Sequence, residues 1–341
     1  MSATTVSEDR PLRILAITNL WPVGDDHTGV FVSDLVESVR ALGHHVQVEI
    51  VAQRGGRADY LLAVPRVRRA FRREPWDVVH LHFGMTALTA RLAGIGPRVL
   101  TLYGSDVNVR WKHWITRLGS GGIAERIYVS RRLATAACDP DGIVIPNGVD
   151  RRTLVPGDQA AARSELGFAP GERVVMFGAN PRRRVKGHGV FRDVLAALVT
   201  RGIPVRELVL TEPGQDRIGV ARKFDAADVL LFTSLRGSEG SPTVVKEAAA
   251  MGLPVVTVGL GDVAEILAGV EPSSVVPFPD HADPLAARAA LVESLADGVM
   301  AVLQDGRRSN GRELTGWLDL PVVAQRVVDV YRKVCRRATA A

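Results

Sequence analysis

Residues 228–258 read D-V-L-L-F-T-S-L-R-G-S-E-G-S-P-T-V-V-K-E-A-A-A-M-G-L-P-V-V-T-V. The apolar run 229–233 predicts a strand covered on both faces. A polar, glycine-bearing loop follows. A helix over 242–251 then starts with clear signals: Ser241 is placed to cap it and Pro242 to fill its first position. Gly252 closes the helix, Pro254 prevents its continuation, and Val255–Val258 predicts the next strand. The helix start offers unpaired amides and partial positive charge, a ready seat for phosphate. Glu239 precedes that start and Glu247 lies inside the helix. With a diphosphate on the amides, one carboxylate would accept the hydroxyls of a sugar and the other those of a ribose. The plainer account makes Glu239 a solvated loop residue and has Glu247 follow Lys246 on a surface helix.

Outward from this segment, short β-branched runs alternate with helical patterns, which argues for βαβ units and parallel sheets. Expected strands cover 14–18, 46–51, Val78–His82, 99–103, 127–130 and 143–145, then Val174–Phe177, 208–210, 229–233, Val255–Val258 and 275–276. Expected helices cover 30–42, 189–200, 242–251, 284–303 and an amphipathic 321–336. The reading is two doubly wound, Rossmann-like α/β domains facing a cleft, 11–150 and 172–316, joined by a linker with a short helix over 151–171. Ligands in such sheets bind beyond the carboxyl ends of the strands.

The length of 341 residues fits about two domains. With 46% hydrophobic and 23% charged residues, the chain is globular rather than disordered or fibrous. No apolar run approaches ~20 residues, so no membrane-spanning helix is expected. Residues 1–10 are polar and read as a loose tail, not a signal peptide. Cys138 and Cys335 are too few for a disulfide framework or a zinc cage, and a cytoplasmic enzyme is expected. Net charge is +6, yet only five of the 43 basic residues are lysine. The excess concentrates between Arg54 and Arg132, with 15 basic against 5 acidic residues, densest at Arg66, Arg68, Arg69, Arg72 and Arg73. No nucleic-acid motif accompanies it. The stretch is a solvated helix face or a contact for an anionic membrane or lipid-linked acceptor.

The 239–247 segment resembles the E-x7-E motif of retaining nucleotide-sugar glycosyltransferases of the GT-B fold, family 4. The wording E-G-S-P-T-V-V-K-E is closest to the branch that builds bacterial surface polysaccharides such as teichuronic acid. Further matches are G-V-F-V-S-D-L-V at Gly29, D-V-V-H-L-H at His82, T-L-Y-G-S-D-V-N at Asp106, V-I-P-N-G-V-D at Asn147 and F-G-A-N-P-R-R-R-V-K-G at Lys186. The resemblance covers nearly the whole chain. It implies that 11–150 is an acceptor domain, that 172–316 binds the nucleotide sugar, and that the helix within 317–341 packs back on the first domain.

It also implies roles. Glu239 would contact the transferred sugar and Glu247 the ribose, while Gly240, Ser241, Pro242 and Thr243 cradle the diphosphate. Lys186 would stabilise the departing nucleoside diphosphate, a role the developing negative charge requires of some cation in any case. The family usually places an arginine soon after the glycine that ends this strand. Here Ala179 and Asn180 stand there, and Arg184 is the candidate second cation. Gly29 opens a helix whose amides suit diphosphate or acceptor. His80 and His82 are expected on opposite faces of their strand, with His82 at the ligand edge beside the sugar. Tyr103, Ser105 and Asp106 follow the next strand as acceptor contacts, although the family often has histidine at Tyr103 and Asp106 could equally cap a turn. The stretch between Leu210 and Asp228, which normally surrounds the nucleotide base, is short.

The expected function is retaining transfer of a sugar from a UDP- or GDP-type donor to an acceptor hydroxyl of a glycan, lipid-linked or natural-product precursor, with no metal or cofactor. Alternatives are a catalytically silent partner subunit, or a GT-B epimerase or phosphorylase. The segment Gly119-Ser120-Gly121-Gly122-Ile123-Ala124 fits G-x-G-x-x-A, but it follows W-K-H-W-I-T-R-L, which does not read as the strand a dinucleotide site needs. No P-loop is present, and the H-x-H pair lacks a third metal ligand.

Overall fold

The structure is a computed structural model describing residues 10–24, 29–52, 56–210 and 216–340. The tail expected over 1–10 therefore lies, apart from Arg10, outside the described residues, as does Arg54. The chain forms two compact units, Met1–Gly148 with Leu320–Ala341, and Val149–Asp319.

The first unit carries a parallel sheet of β1 (Arg13–Thr18), β2 (His45–Ile50), β3 (Val78–His82), β4 (Arg98–Leu102), β5 (Ile123–Tyr128) and β6 (Ile143–Val144) in the order β2-β1-β3-β4-β5-β6. Side-chain alternation builds one core on each face: Leu15, Ile17, Val79 and Leu81 on one, Ile14, Ala16, Val78 and Val99 on the other. β5 ends at Tyr128, short of the expected 130, because Ser130 caps the helix Arg131–Ala136, accepting from the Leu133 amide at 3.2 Å. The helix Leu320–Ala340 roofs the second core with Val323, Val327, Tyr331 and Val334. The Tyr331 hydroxyl and His80 Nδ1 are hydrogen bonded at 2.6 Å, and Arg326 donates to the Val144 carbonyl at 2.8 Å.

The two histidines of β3 share a face, contrary to the expectation from sequence. Strand side chains repeat every two residues, so His80 and His82 align with Val78 while Leu81 takes the other side. Their ring centroids are 4.0 Å apart. The Gly119–Ala124 segment follows the helix Arg110–Gly119 and runs into β5. A dinucleotide fingerprint needs strand then helix, so this order excludes one.

The second unit holds β7 (Val174–Phe177), β8 (Arg206–Val209), β9 (Val229–Phe232), β10 (Val255–Val258) and β11 (Ser274–Val276), all parallel, in the order β11-β10-β9-β7-β8. The stretch 151–171 belongs to this body rather than to a linker. Leu154 and Phe168 enter its core, where burial favours them over solvent. Arg151 donates to the Arg312 carbonyl at 2.6 Å, and Arg312 donates to the Leu154 carbonyl at 2.8 Å. The helix Pro284–Asp305 and the helix His188–Thr200 contribute Leu291, Leu295, Val299, Phe191 and Val194 to that core.

Both sheets wind alike. The first strand sits centrally, the second flanks it on one side, and the third, fourth and fifth follow on the other. The winding reverses between β1 and β3 and between β7 and β9, and such reversals leave a crevice outside the carboxyl ends of the strands. Lys186 and Glu239 follow β7 and β9, and His82 ends β3. Among the described residues no helix is long and apolar enough to cross a membrane.

Candidate active site

The β7 and β9 loops are stitched to each other. Lys186 closes the short 3-10 turn Arg184–Lys186, and Gly187 follows at φ +70°. A Cβ at Gly187 would collide with the Thr233 carbonyl, so glycine is what lets the two loops touch. The Thr233 hydroxyl donates to the carbonyls of Lys186 at 3.3 Å and Gly187 at 3.1 Å, and the Leu235 amide donates to the Val185 carbonyl at 2.9 Å. This stitching brings Lys186 into an ion pair with Glu239, and the Ser234 hydroxyl donates to the same carboxylate oxygen at 3.4 Å. The two side chains are 19% and 18% exposed, so the pair is screened yet reachable.

Glu239 leads into the helix Thr243–Ala250. Pro242 is its N-cap rather than its first residue, and Ser241 does not cap it. The Ser241 hydroxyl instead turns inward and donates to Asp262 Oδ2 at 2.5 Å, while Lys246 donates to Ser241 Oγ. The helix start therefore offers an anion backbone amides, but not the Ser241 hydroxyl. Lys246 is fully buried, not on a surface helix. Burial pushes its pKa down and that of Asp262 up, each opposed by the charge of the other. On the accessible side, Glu247 pairs with Arg217 at 3.5 Å. Arg217 opens the helix Arg217–Ala226, whose N-cap Asp216 accepts from the Gly219 amide at 2.7 Å. That helix occupies the shortened stretch, of which 211–215 lie outside the described residues.

Arg184 is exposed on the 3-10 turn. The position where an arginine was expected is taken by Asn180, whose side chain accepts from the Arg182 amide at 2.9 Å and shapes the turn. Thr243 is the first residue of the helix and Gly240 lies in the loop before it.

In the first unit, His82 is 0% exposed and its Nδ1 is hydrogen bonded to the Tyr103 phenol at 2.7 Å. Its Nε2 is buried with no hydrogen-bond partner among the described residues. Burial drives its pKa down to about 3, so the ring is neutral. Burial likewise pushes the Tyr103 phenol up. The Tyr103 ring packs on Phe31 at 4.9 Å and on Phe83 at 4.5 Å. Asp106 is spent on the backbone. It accepts from the Gly104 amide at 2.8 Å, the Tyr103 amide at 3.1 Å and the Gly84 amide at 3.3 Å, which is the turn-capping alternative rather than an open acceptor contact. Ser105 is exposed and accepts from Lys112 Nζ at 3.1 Å. Gly29 is the N-cap of the helix Val30–Ala41 at φ +90°, and a Cβ there would lie 2.5 Å from the Leu20 carbonyl carbon. Residues 25–28 before it lie outside the described residues.

Among the described residues no group of three or more His, Cys, Asp or Glu is placed to hold a metal ion. Sequence reasoning missed Lys246, Asp262 and Arg217. Lys246 carried one signal, its place directly after Val244 and Val245 in a mostly apolar helix, and Asp262 another, its place in the turn after β10.

Two family models match the chain: one described as Glycosyltransferase Family 4 over residues 35–153, and one described as Glycosyl transferases group 1 over residues 171–305. The chain belongs to these glycosyltransferases. Among relatives of this family, it is 32% identical to a D-inositol 3-phosphate glycosyltransferase of Segniliparus rotundus over 51% of this chain and 45% of that one. It is 29% identical to the putative teichuronic acid biosynthesis glycosyltransferase TuaC of Bacillus subtilis over 56% of this chain and 55% of that one. The chain thus spans about half the length of these curated relatives. Solved structures share the fold. Sucrose-phosphate synthase from Thermosynechococcus elongatus aligns with a TM-score of 0.72 at 16% identity, covering 94% of this chain and 99% of that one. Anabaena HepE in complex with UDP-glucose aligns with a TM-score of 0.66 at 17% identity, covering 94% and 100%. The family member described here has the GT-B architecture of two Rossmann-like parallel-sheet domains.

Proposed function

We propose that this chain transfers a sugar from a UDP- or GDP-type nucleoside diphosphate donor to an acceptor hydroxyl, retaining configuration at the anomeric carbon and using no metal. The observation that carries this reading is the Lys186–Glu239 ion pair at the β7/β9 reversal, directly before the helix Thr243–Ala250. The pair stores a cation and an acceptor side by side. As donor enters, Lys186 exchanges Glu239 for the diphosphate, and Glu239 turns to the sugar hydroxyls, so neither charge is left bare. The amides of the helix start take the phosphate oxygens. Glu247 accepts the ribose hydroxyls, and Arg217 holds that carboxylate. As the anomeric C–O bond breaks, the diphosphate leaves with the bonding electrons and takes the acceptor proton on the same face. The acceptor oxygen forms the new bond there. Lys186 and Arg184 stabilise the charge that develops.

In the first unit, His82 contributes a neutral ring, and Ser105 with Lys112 offers the exposed acceptor contact. The family membership supports the reading, as do relatives named as glycosyltransferases and a fold neighbour that binds UDP-glucose. A thermal-shift panel of UDP, GDP and ADP with their sugars tests it. One nucleotide series should raise Tm, and NMR of the product should show the donor's anomeric configuration. No shift with any nucleotide, or an inverted product, counts against it.

We also propose a cytoplasmic enzyme touching an anionic membrane through the helix Val64–Arg73. Arg66 is engaged with Glu49 at 3.3 Å and the Ile50 carbonyl at 2.6 Å, and Arg68 with the Ala93 carbonyl at 2.9 Å. The contact therefore falls to the exposed Arg69, Arg72 and Arg73. Flotation with liposomes containing anionic lipid should exceed that with neutral ones, and equal flotation removes this part.

A further inference from the structure

A second pair of charged residues lies beneath the same helix and points inward. Lys246 and Asp262 are 0% and 2% exposed, with Nζ 3.8 Å from Oδ2. Ser241 joins them, donating to Asp262 Oδ2 at 2.5 Å and accepting from Lys246. Three segments meet in this network: the loop after β9 through Ser241, the helix Thr243–Ala250 through Lys246, and the turn after β10 through Asp262. The same turn presses on the backbone of the Glu239 loop. Gly261 sits at φ +60°, and a Cβ there would lie 2.6 Å from the Gly240 carbonyl oxygen and 3.4 Å from that of Glu239.

Stability alone is a poor reason for this arrangement. Desolvation largely offsets the attraction of a buried ion pair, and apolar residues of similar volume often do as well or better. Asp262 Oδ1 is also buried with no hydrogen-bond partner among the described residues, which adds a cost. The rest of the helix buries plain Val245, Ala248 and Ala249. What distinguishes the polar network is its position behind Glu239, Gly240 and Ser241.

We infer that Lys246, Asp262 and Ser241 form a positioning strut that fixes the Glu239–Gly240–Ser241 backbone and the helix start in the geometry that receives the donor diphosphate. This rests on the donor-site reading above. Lys246 acts through Ser241 and does not touch the ligand, so its contribution is geometric. A single positioned donor can be worth a large share of the binding of a charged group.

The test uses the full chain with Lys246→Met, Asp262→Asn and the double variant Lys246→Met/Asp262→Leu. Each is measured by thermal unfolding, by calorimetry with the nucleoside diphosphate that binds wild type, and by steady-state kinetics. Lys246→Met should lower Tm and weaken nucleotide binding about tenfold. The double variant should recover Tm close to wild type, because two apolar side chains replace the pair, yet keep the weakened binding and the raised donor KM. A double variant with wild-type Tm, Kd and KM would mean a purely structural role and overturn the inference. Asp262→Asn keeps the shape and removes the charge, which covers the case in which the Lys246 variants do not fold. It should bind several-fold more weakly, and wild-type affinity in it also overturns the inference. Wild type that binds no nucleoside diphosphate is a separate result and defeats the donor-site reading instead.

Discussion

The two units wind their strands in the same order and end in opposite chemistries. At the β7/β9 reversal the chain places an ion pair, Lys186 with Glu239, across two loops that touch at Gly187, with Glu247 paired to Arg217 of the helix Arg217–Ala226. At the β1/β3 reversal it places a neutral His82 bonded to Tyr103, whose ring in turn packs on Phe31 and Phe83. The topology decides where a ligand can sit, and the residues decide what kind. A charged edge suits a diphosphate whose charge changes during reaction. A rigid aromatic edge suits a sugar or acceptor recognised by shape and neutral hydrogen bonds.

The largest expected effect tests the charged edge. Lys186→Ala should lower kcat by about 10²–10³, the cost of losing one charge-stabilising group in a transition state. Near-wild-type kcat in assays with the matched donor would erase the contrast.

The next effect tests the neutrality of the other edge. Unfolded His82 takes a proton below about pH 6.5, whereas the folded ring resists protonation until about 3. The native state thus holds fewer protons in that window, and stability is full above pH 6.5 and falls as pH drops towards 3. By pH 5 the loss from this group amounts to about 2 kcal/mol. Urea titrations of wild type and His82→Gln at pH 7.5 and 5 should differ in their pH dependence by about that much, with the variant falling less. Parallel curves would mean that His82 is charged in the fold.

A smaller effect sharpens the division of labour within the second unit. Glu247→Ala should weaken donor binding about tenfold by calorimetry, while kcat at saturating donor changes little. A kcat effect as large as that of Lys186→Ala would merge the two roles. The smallest concerns the support behind the neutral edge. Tyr331→Phe removes the hydroxyl bonded to His80 and should cost about 1 kcal/mol in urea unfolding, with donor affinity unchanged. A shift in donor affinity would couple this support to the charged edge.

The strands Val78–His82, Val174–Phe177 and Val255–Val258 were legible to the residue because continuous apolar runs bounded by polar ones have one solution in a doubly covered sheet. The place of Lys186 and Glu239 on loops after strands was legible from the apolar runs before them, but their pairing was not. Lys246 was not, because a lysine beside a glutamate usually marks the wet side of a helix. Here the helix is buried around most of its circumference, and only Thr243, Val244 and Glu247 keep some exposure. Asp106 was ambiguous because a carboxylate after a strand can serve ligand or backbone, and three amides converging on it settled the matter. Residues 151–171 misled through their prolines and glycines, which hide the two apolar anchors Leu154 and Phe168.

The return of residues 320–340 to the first unit sets an order of assembly. Val149–Asp319 is a continuous stretch and can close its core as soon as it has been synthesised. The β1–β6 sheet is made earlier, yet Ile14, Val78 and Val99 lack their roof until Val323–Val334 has been translated. Of the two units, the one whose sheet is synthesised earlier is therefore completed later, with an apolar sheet face that a chaperone would have reason to guard in the interval.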